Sequence, residues 1–219
     1  MKTTKINNQI ILPLSYSFNI ESDVTKAQKD VFDYFNLTLN QQFEEIPHGH
    51  WLGKTCNYII DNVDFDVAVF FDLDCVPITN KLYEHLLSKV DKNTICGIEQ
   101  TCEANKSNGH IYAGPACLAI PKTVMQKVLN HMDRLCFIED EYSDVAQRFT
   151  YDCEMSSVNI NFLKVTSCND PKWRIGRTNT FFGVGTTYDN VIYHHFLIGR
   201  EPWRRSDFIK KCNTITGDS

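Results

Sequence analysis

Two aspartates separated by one residue, Asp72 and Asp74, follow the unbroken apolar run from Val67 to Phe71. Residues i and i+2 of an extended chain point the same way, so both carboxylates can approach one hard cation such as Mg2+ or Mn2+. The same pair also reads as two solvated aspartates opening a turn ahead of Pro77. Other residues of suitable chemistry are spread along the chain. His48 and His50 lie close together ahead of an apolar stripe, and His194 and His195 are adjacent in a strand-like segment. Neighbours in a strand face opposite sides, so at most one of the latter two serves a given site. Asp152 reads either as a helix N-cap or as a functional carboxylate. Arg200, Arg204, Arg205, Lys210 and Lys211 make a basic patch that suits phosphate or a solvated tail.

The elements that must position these groups follow from apolar spacing. Five apolar residues in a row are too few for a helix and show no polar alternation, which predicts a strand buried on both faces of a parallel sheet. Its carboxyl end is where open α/β sheets place their ligands. Gln9 to Tyr16 reads as a first strand, with Pro13 near an edge or ending regular pairing. Ser22 to Thr25 caps a helix that turns Ala27, Val31, Phe32 and Phe35 inward. A second strand is expected from Leu37 to Phe43, then an apolar stripe of Leu52, Cys56, Ile59, Ile60 and Val63, with Lys54 well off it. Lys81 to Val90 reads as a helix, Thr94 to Ile98 as a strand and Glu99 to Gly109 as a loop. Ile111 to Ile120 reads as a strand interrupted at Gly114-Pro115, leading into a helix with Val124, Met125 and Val128 on one face. Thr150 to Asp152 is expected to cap a helix carrying Met155, Val158, Phe162 and Val165 inward. With no internal repeat and no Pro-, Gly- or Ser-rich linker, one domain over residues 1–205 and a basic tail over 206–219 are expected.

With 219 residues, 42% hydrophobic and 22% charged, the chain can bury a full core. No apolar run approaches the ~20 residues of a membrane span, and the start, Met-Lys-Thr-Thr-Lys, leads into too short an apolar segment for a signal peptide, so a cytoplasmic place is expected. Nine cysteines without a Cys-x-x-Cys pair argue against a disulfide framework or zinc knuckle. A net charge of −5 argues against tight nonspecific binding of nucleic acid.

Taken with the segment from His195 to Trp203, Phe71-Asp-Leu-Asp74 resembles the nucleotide-sugar glycosyltransferases of the GT-A fold, and among them the glycogenin and lipopolysaccharide galactosyltransferase family. His195-Phe196 ahead of Glu201-Pro202-Trp203 is similar to the family's late histidine and Lys-Pro-Trp, Tyr112 to Ile120 to its Asn-(Ala/Ser)-Gly-Val segment, and Asp152 with Asn159 to its Asp-Gln-x-x-x-Asn element. The resemblance implies a single α/β, Rossmann-like domain with a mostly parallel central sheet flanked by helices. It implies a cation, Mn2+ or Mg2+, on Asp72, Asp74 and His195, with His194 as the alternative if the strand register differs. Asp72, Lys54, Gly199 and Arg200 would meet the nucleoside diphosphate sugar, a UDP-sugar first, Arg200 supplying the charge that Glu201 cannot. Asp152 would be the catalytic carboxylate of a hexosyl- or pentosyltransferase, and the family leans toward retention. The departures are Glu201 in place of lysine and the missing asparagine before Gly114.

The acceptor hydroxyl stays open among a glycan, a protein, a small metabolite and a hydroxylated DNA base. Asn-, Lys- and Ile-leaning usage is that of AT-rich genomes, viral ones among them. Two readings from other classes stand beside the transferase. One is a haloacid dehalogenase-type phosphohydrolase with Asp72 as nucleophile, Asp74 as acid/base and Asp140 and Asp144 as late metal carboxylates. The other is a noncatalytic nucleotide-sugar binding module.

Overall fold

The computed structural model describes residues 1–17, 22–102, 109–140, 143–176, 178–198 and 203–217. The apolar run does form a strand: β4 (Val67–Asp72) is buried from its first residue to Phe71. It lies inside a seven-stranded sheet ordered β1-β2-β4-β7-β6-β8, with β3 also on β2. The other members are β1 (Thr4–Ile6), β2 (Gln9–Ser17), β3 (Asn40–Phe43), β6 (Thr94–Thr101), β7 (Ile111–Pro121) and β8 (Asn159–Leu163). Strands β2, β3, β4, β6 and β8 run one way and β1 and β7 the other, which makes the sheet mostly parallel, as expected.

A second sheet of four strands, ordered β5-β11-β10-β9, comprises β5 (Cys75–Pro77), β9 (Val165–Arg174), β10 (Phe181–Tyr188) and β11 (Ile192–His195). The helices are α1 (Ser22–Tyr34), α2 (His48–Asn62), α3 (Leu82–Lys89), α4 (Lys122–His131), α5 (Gln147–Met155) and α6 (Trp203–Thr216). One core packs Trp51, Leu52, Cys56 and Ile59 of α2 and Val124, Met125 and Val128 of α4 on Leu14, Phe70 and Leu118. A second lies on the other face, around Val67, Val69, Phe71, Leu82 and Leu86. Among the described residues no helix is long and apolar enough to cross a membrane.

Pro13 is not at an outer edge. It pairs with Val69 on β4, and on its other side it falls in the gap between β1, which pairs up to Ile11, and β3, which begins at Leu14. The missing N–H is harmless there, and the free carbonyl accepts from Asn40 Nδ2 at 2.8 Å. The Gly114-Pro115 interruption is a bulge, because Gly97 pairs with Leu118 while Ile98 pairs with Gly114. A Cβ at Gly114 would come within 2.8 Å of Ile98 Cγ1, so glycine lets β6 close in.

Three expectations are corrected. Glu99 to Thr101 continue β6 instead of opening a loop, paired with Ile111 to Ala113, and Lys164 bonds Glu99 at 2.5 Å. Asp152 does not cap a helix but sits inside α5, which ends at Met155; the residues after it form β8 and β9, with Asn159 opening β8. Val158, Ile160 and Phe162 alternate with polar residues, the period of a strand. Residues 206–216, expected as a tail, belong to α6, which buries Phe208 and Cys212 against Val24 and Val31 of α1.

Candidate functional site

Asp72 ends β4 and Cys75 opens β5, so the two aspartates occupy the turn in which the chain leaves one sheet for the other. Leu73 between them is 4% exposed and packs with Val76, Tyr193 and Ile198, which leaves both carboxylates on the opposite side. The turn is held by Gln28 of α1, wholly buried, whose Nε2 donates to the Asp72 carbonyl at 2.8 Å and the Cys75 carbonyl at 3.0 Å. Its Oε1 accepts from Ser15 Oγ at 2.8 Å and Gln41 Nε2 at 3.0 Å.

Strand β11 completes the site. His194 pairs with Cys75 in the register, and the His195 N–H donates to the Asp74 carbonyl at 2.9 Å. That register turns the His194 ring to the aspartates, its Nε2 3.0 Å from Asp74 Oδ1 and 3.9 Å from Asp72 Oδ2. One ligand atom from each of Asp72, Asp74 and His194 lies within 4.8 Å of the other two. His195, the residue to which resemblance assigned the metal, faces the other side of the strand. Its Nδ1 is hydrogen-bonded to the Tyr193 hydroxyl at 2.7 Å, and its ring lies 6.0 Å from that of Phe208.

The donor set fits a divalent cation of the Mn2+ kind: two carboxylates and one imidazole. Burial pushes the Asp72 carboxyl up more than His48 and His194 bring it down, and Asp74 and Asp144 add repulsion. A concentration of negative charge with little solvent is what a bound cation relieves.

Two neighbours were not assigned to this site from sequence. His48, at the start of α2, brings Nε2 to 3.3 Å from Asp72 Oδ1. Its ring lies parallel to Tyr16 at 5.2 Å, and Tyr16 in turn stacks on Trp51 at 4.9 Å. His50 is exposed. Asp144, considered only as a late ligand of a hydrolase, is the second: its charge reaches Asp72, and its Oδ2 accepts from the Tyr112 hydroxyl at 2.7 Å. Asp144 precedes α5, whose N-cap residue is Ala146. The Asp144 N–H donates to Gln147 Oε1 at 3.0 Å.

Lys54, expected at the donor, and Asp152, expected as the catalytic carboxylate, each have an ionic partner of their own. Lys54 is mostly exposed and pairs with Glu44 at 2.9 Å. Asp152 is 3% exposed and accepts from Arg148 Nε at 3.1 Å; burial raises its carboxyl more than Arg148 lowers it. Gly199, Arg200, Glu201 and Pro202 lie outside the described residues. The basic patch is divided on α6, with Arg204 buried and 3.7 Å from Asp170, and Lys210 exposed.

No family model and no curated protein matches the sequence. Solved structures do match. A glycosyltransferase involved in glycosylation of the major capsid of the virus PBCV-1 is 10% identical, with 93% of this chain and 98% of that one covered at a TM-score of 0.47. A Drosophila β1,4-galactosyltransferase 7 variant in complex with manganese, UDP-Gal and xylobiose is 8% identical over 87% of this chain and 74% of that one, TM-score 0.48. A Pyrobaculum calidifontis mannosyltransferase in complex with GDP-Man and Mn2+ is 8% identical over 69% of this chain and 54% of that one, TM-score 0.46.

Proposed function

We propose that the protein is a metal-dependent glycosyltransferase of the GT-A type, moving a sugar from a nucleoside diphosphate sugar to an acceptor hydroxyl. The observation that carries this reading is the meeting of Asp72, Asp74 and His194 at the crossover between the two sheets. These three residues would hold the cation, which when bound would supply Lewis-acid neutralisation of the leaving diphosphate. His48, stacked on Tyr16 and touching Asp72, orients that carboxylate.

For the acceptor hydroxyl, sequence pointed to Asp152, but its carboxylate is engaged by Arg148. Asp144 is the carboxylate assigned that role, because its charge reaches Asp72, its partners are neutral donors, Tyr112 and the Val145 N–H, and no cation among the described residues engages it. As a general base it would take the hydroxyl proton on Oδ1, which also accepts from the Val145 N–H at 2.9 Å, and give inversion, against the retention that the family resemblance implied. The NMR coupling of the product's anomeric proton distinguishes the two.

The test is thermal stabilisation by nucleoside diphosphates and their sugars, UDP and GDP series first, each with Mn2+ and with chelator. Metal-dependent stabilisation is expected, lost in Asp74→Ala and His194→Ala and kept in His195→Ala. Absence of any nucleotide effect, or capture of an aspartyl phosphate at Asp72, sinks the transferase reading. Asp144→Asn is expected to lower turnover by about 10²–10⁴ with the metal-dependent stabilisation intact. An equal loss in Asp152→Asn alone returns the base to that residue.

A further inference from the structure

On the side of β11 away from the aspartates, α6 and the small sheet line a cavity of about 410 Å3 that is open to solvent. This is within the ~300–1,000 Å3 range of small-molecule sites. Tyr193 and His195, the strand residues that alternate with His194, form part of its wall. His195 is 4% exposed, and with Nδ1 bound to Tyr193 its Nε2 has no partner among the described residues. A buried ring nitrogen left without a partner is unfavourable in a finished core, but this one is closed off from solvent, so His195 gives the cavity ring surface and no polar contact.

The remaining wall narrows the ligand's chemistry. Trp203 is 58% exposed, unusual for an indole, with the Arg204 guanidinium 4.2 Å from its ring. Carboxylates of Asp170 and Asp207 and cations of Arg204 and Lys211 line the same cavity, Asp170 being 3.7 Å from Arg204 and 2.9 Å from Lys172, and the Lys211 ammonium lies 5.2 Å from the Tyr193 ring. Two charges of each sign leave no preference for an anion or a cation, and four charged groups exclude an apolar guest. Asn169 adds an amide, held over Gly185, where a Cβ would come within 2.7 Å of its Nδ2. An aromatic platform ringed by both donors and acceptors suits a molecule with a C–H face and a belt of hydroxyls.

We propose that this cavity is a second carbohydrate site that takes a neutral pyranose unit, its C–H face on Trp203 and its hydroxyls shared among Asn169, Asp170, Asp207 and Lys211. The site lies across β11 from the cation cluster and needs neither metal nor nucleotide. It therefore stands or falls separately from the transferase reading.

The experiment is titration of the protein in chelator with methyl glucoside, methyl galactoside, methyl mannoside, N-acetylglucosamine and cellobiose, followed by saturation-transfer NMR and tryptophan fluorescence. Inorganic phosphate is the anion control. At least one glycoside is expected to bind saturably, tenfold or more weakly in Trp203→Ala and in Asp207→Asn, and unchanged in Asp74→Asn. Both variant positions are exposed, so folding is preserved, and Trp203→Phe is expected to restore part of the binding. The proposal is overturned if no glycoside binds, if only phosphate does, or if binding survives Trp203→Ala unchanged. It is equally overturned if binding disappears in Asp74→Asn, which would put the sugar in the cation site.

Discussion

Gln28 shows how much one uncharged residue can decide. Its amide fills four hydrogen bonds, two of them to the carbonyls flanking the Asp72–Asp74 turn. Gln28→Leu leaves those groups buried and unpaired. It is expected to lower stability by about 1–3 kcal/mol in chemical denaturation and to weaken Mn2+ binding as the turn loosens. Asp189 is a second such joint: His85 and Lys89 each lie 2.9 Å from its Oδ2, and the Lys164 N–H donates to Oδ1 at 2.8 Å. Burial raises its carboxyl, but these donors outweigh burial and bring it below the usual range. Its stabilisation is therefore complete above the unfolded value of about 3.9 and is lost as pH falls through the lower folded value. The stability gap between wild type and Asp189→Asn is expected to be constant above pH ~5 and to vanish in stronger acid, read by urea denaturation across pH. The aspartate pair was legible because i, i+2 geometry is local. The choice between His194 and His195 was not, since it depends on how β11 registers against β5, a pairing between distant parts of the chain. Gln28 was half legible as the polar residue inside the stripe of Val24, Ala27, Val31 and Phe32.

Among elements, β9 is the one the sequence hid. Its residues are mostly exposed, so it shows no apolar alternation, and it is held by backbone pairing with β10. That pairing depends on Gly183, where a Cβ would meet the Asp170 carbonyl oxygen at 2.3 Å and the Lys172 nitrogen at 2.7 Å. Backbone cannot step aside as a side chain can. Gly183→Ala is expected to cost at least the ~1–3 kcal/mol of an overpacked core and to speed amide exchange along β9 before the rest of the protein. Strand β4, apolar on both faces, and helix α2, apolar on one, were legible because packing against neighbours requires those faces.

For the molecule as a whole, an α/β fold was legible from strands alternating with helices, but a second sheet was not. One of its strands is the three-residue β5, too short to carry a pattern. Helix α6 joins that sheet to α1, with Phe208 wholly buried among Val24, Val31 and Val76. Phe208→Ala is expected to remove about 3–5 kcal/mol in chemical denaturation. Because the same cluster contains Leu73 and Tyr193, the loss should be felt at the aspartate turn as weaker cation binding in calorimetry.

The crossover from β4 to β5 also bears on the order of folding events. Asp74 and His194 are 120 positions apart, and they meet only after β11 has found β5. Contacts of such long reach form late, after the entropy of closing the loop has been met. A cation seated between them thus acts as a latch set after the rate-limiting step. In stopped-flow measurements Mn2+ should leave the refolding rate unchanged and slow unfolding by the whole of its stabilisation.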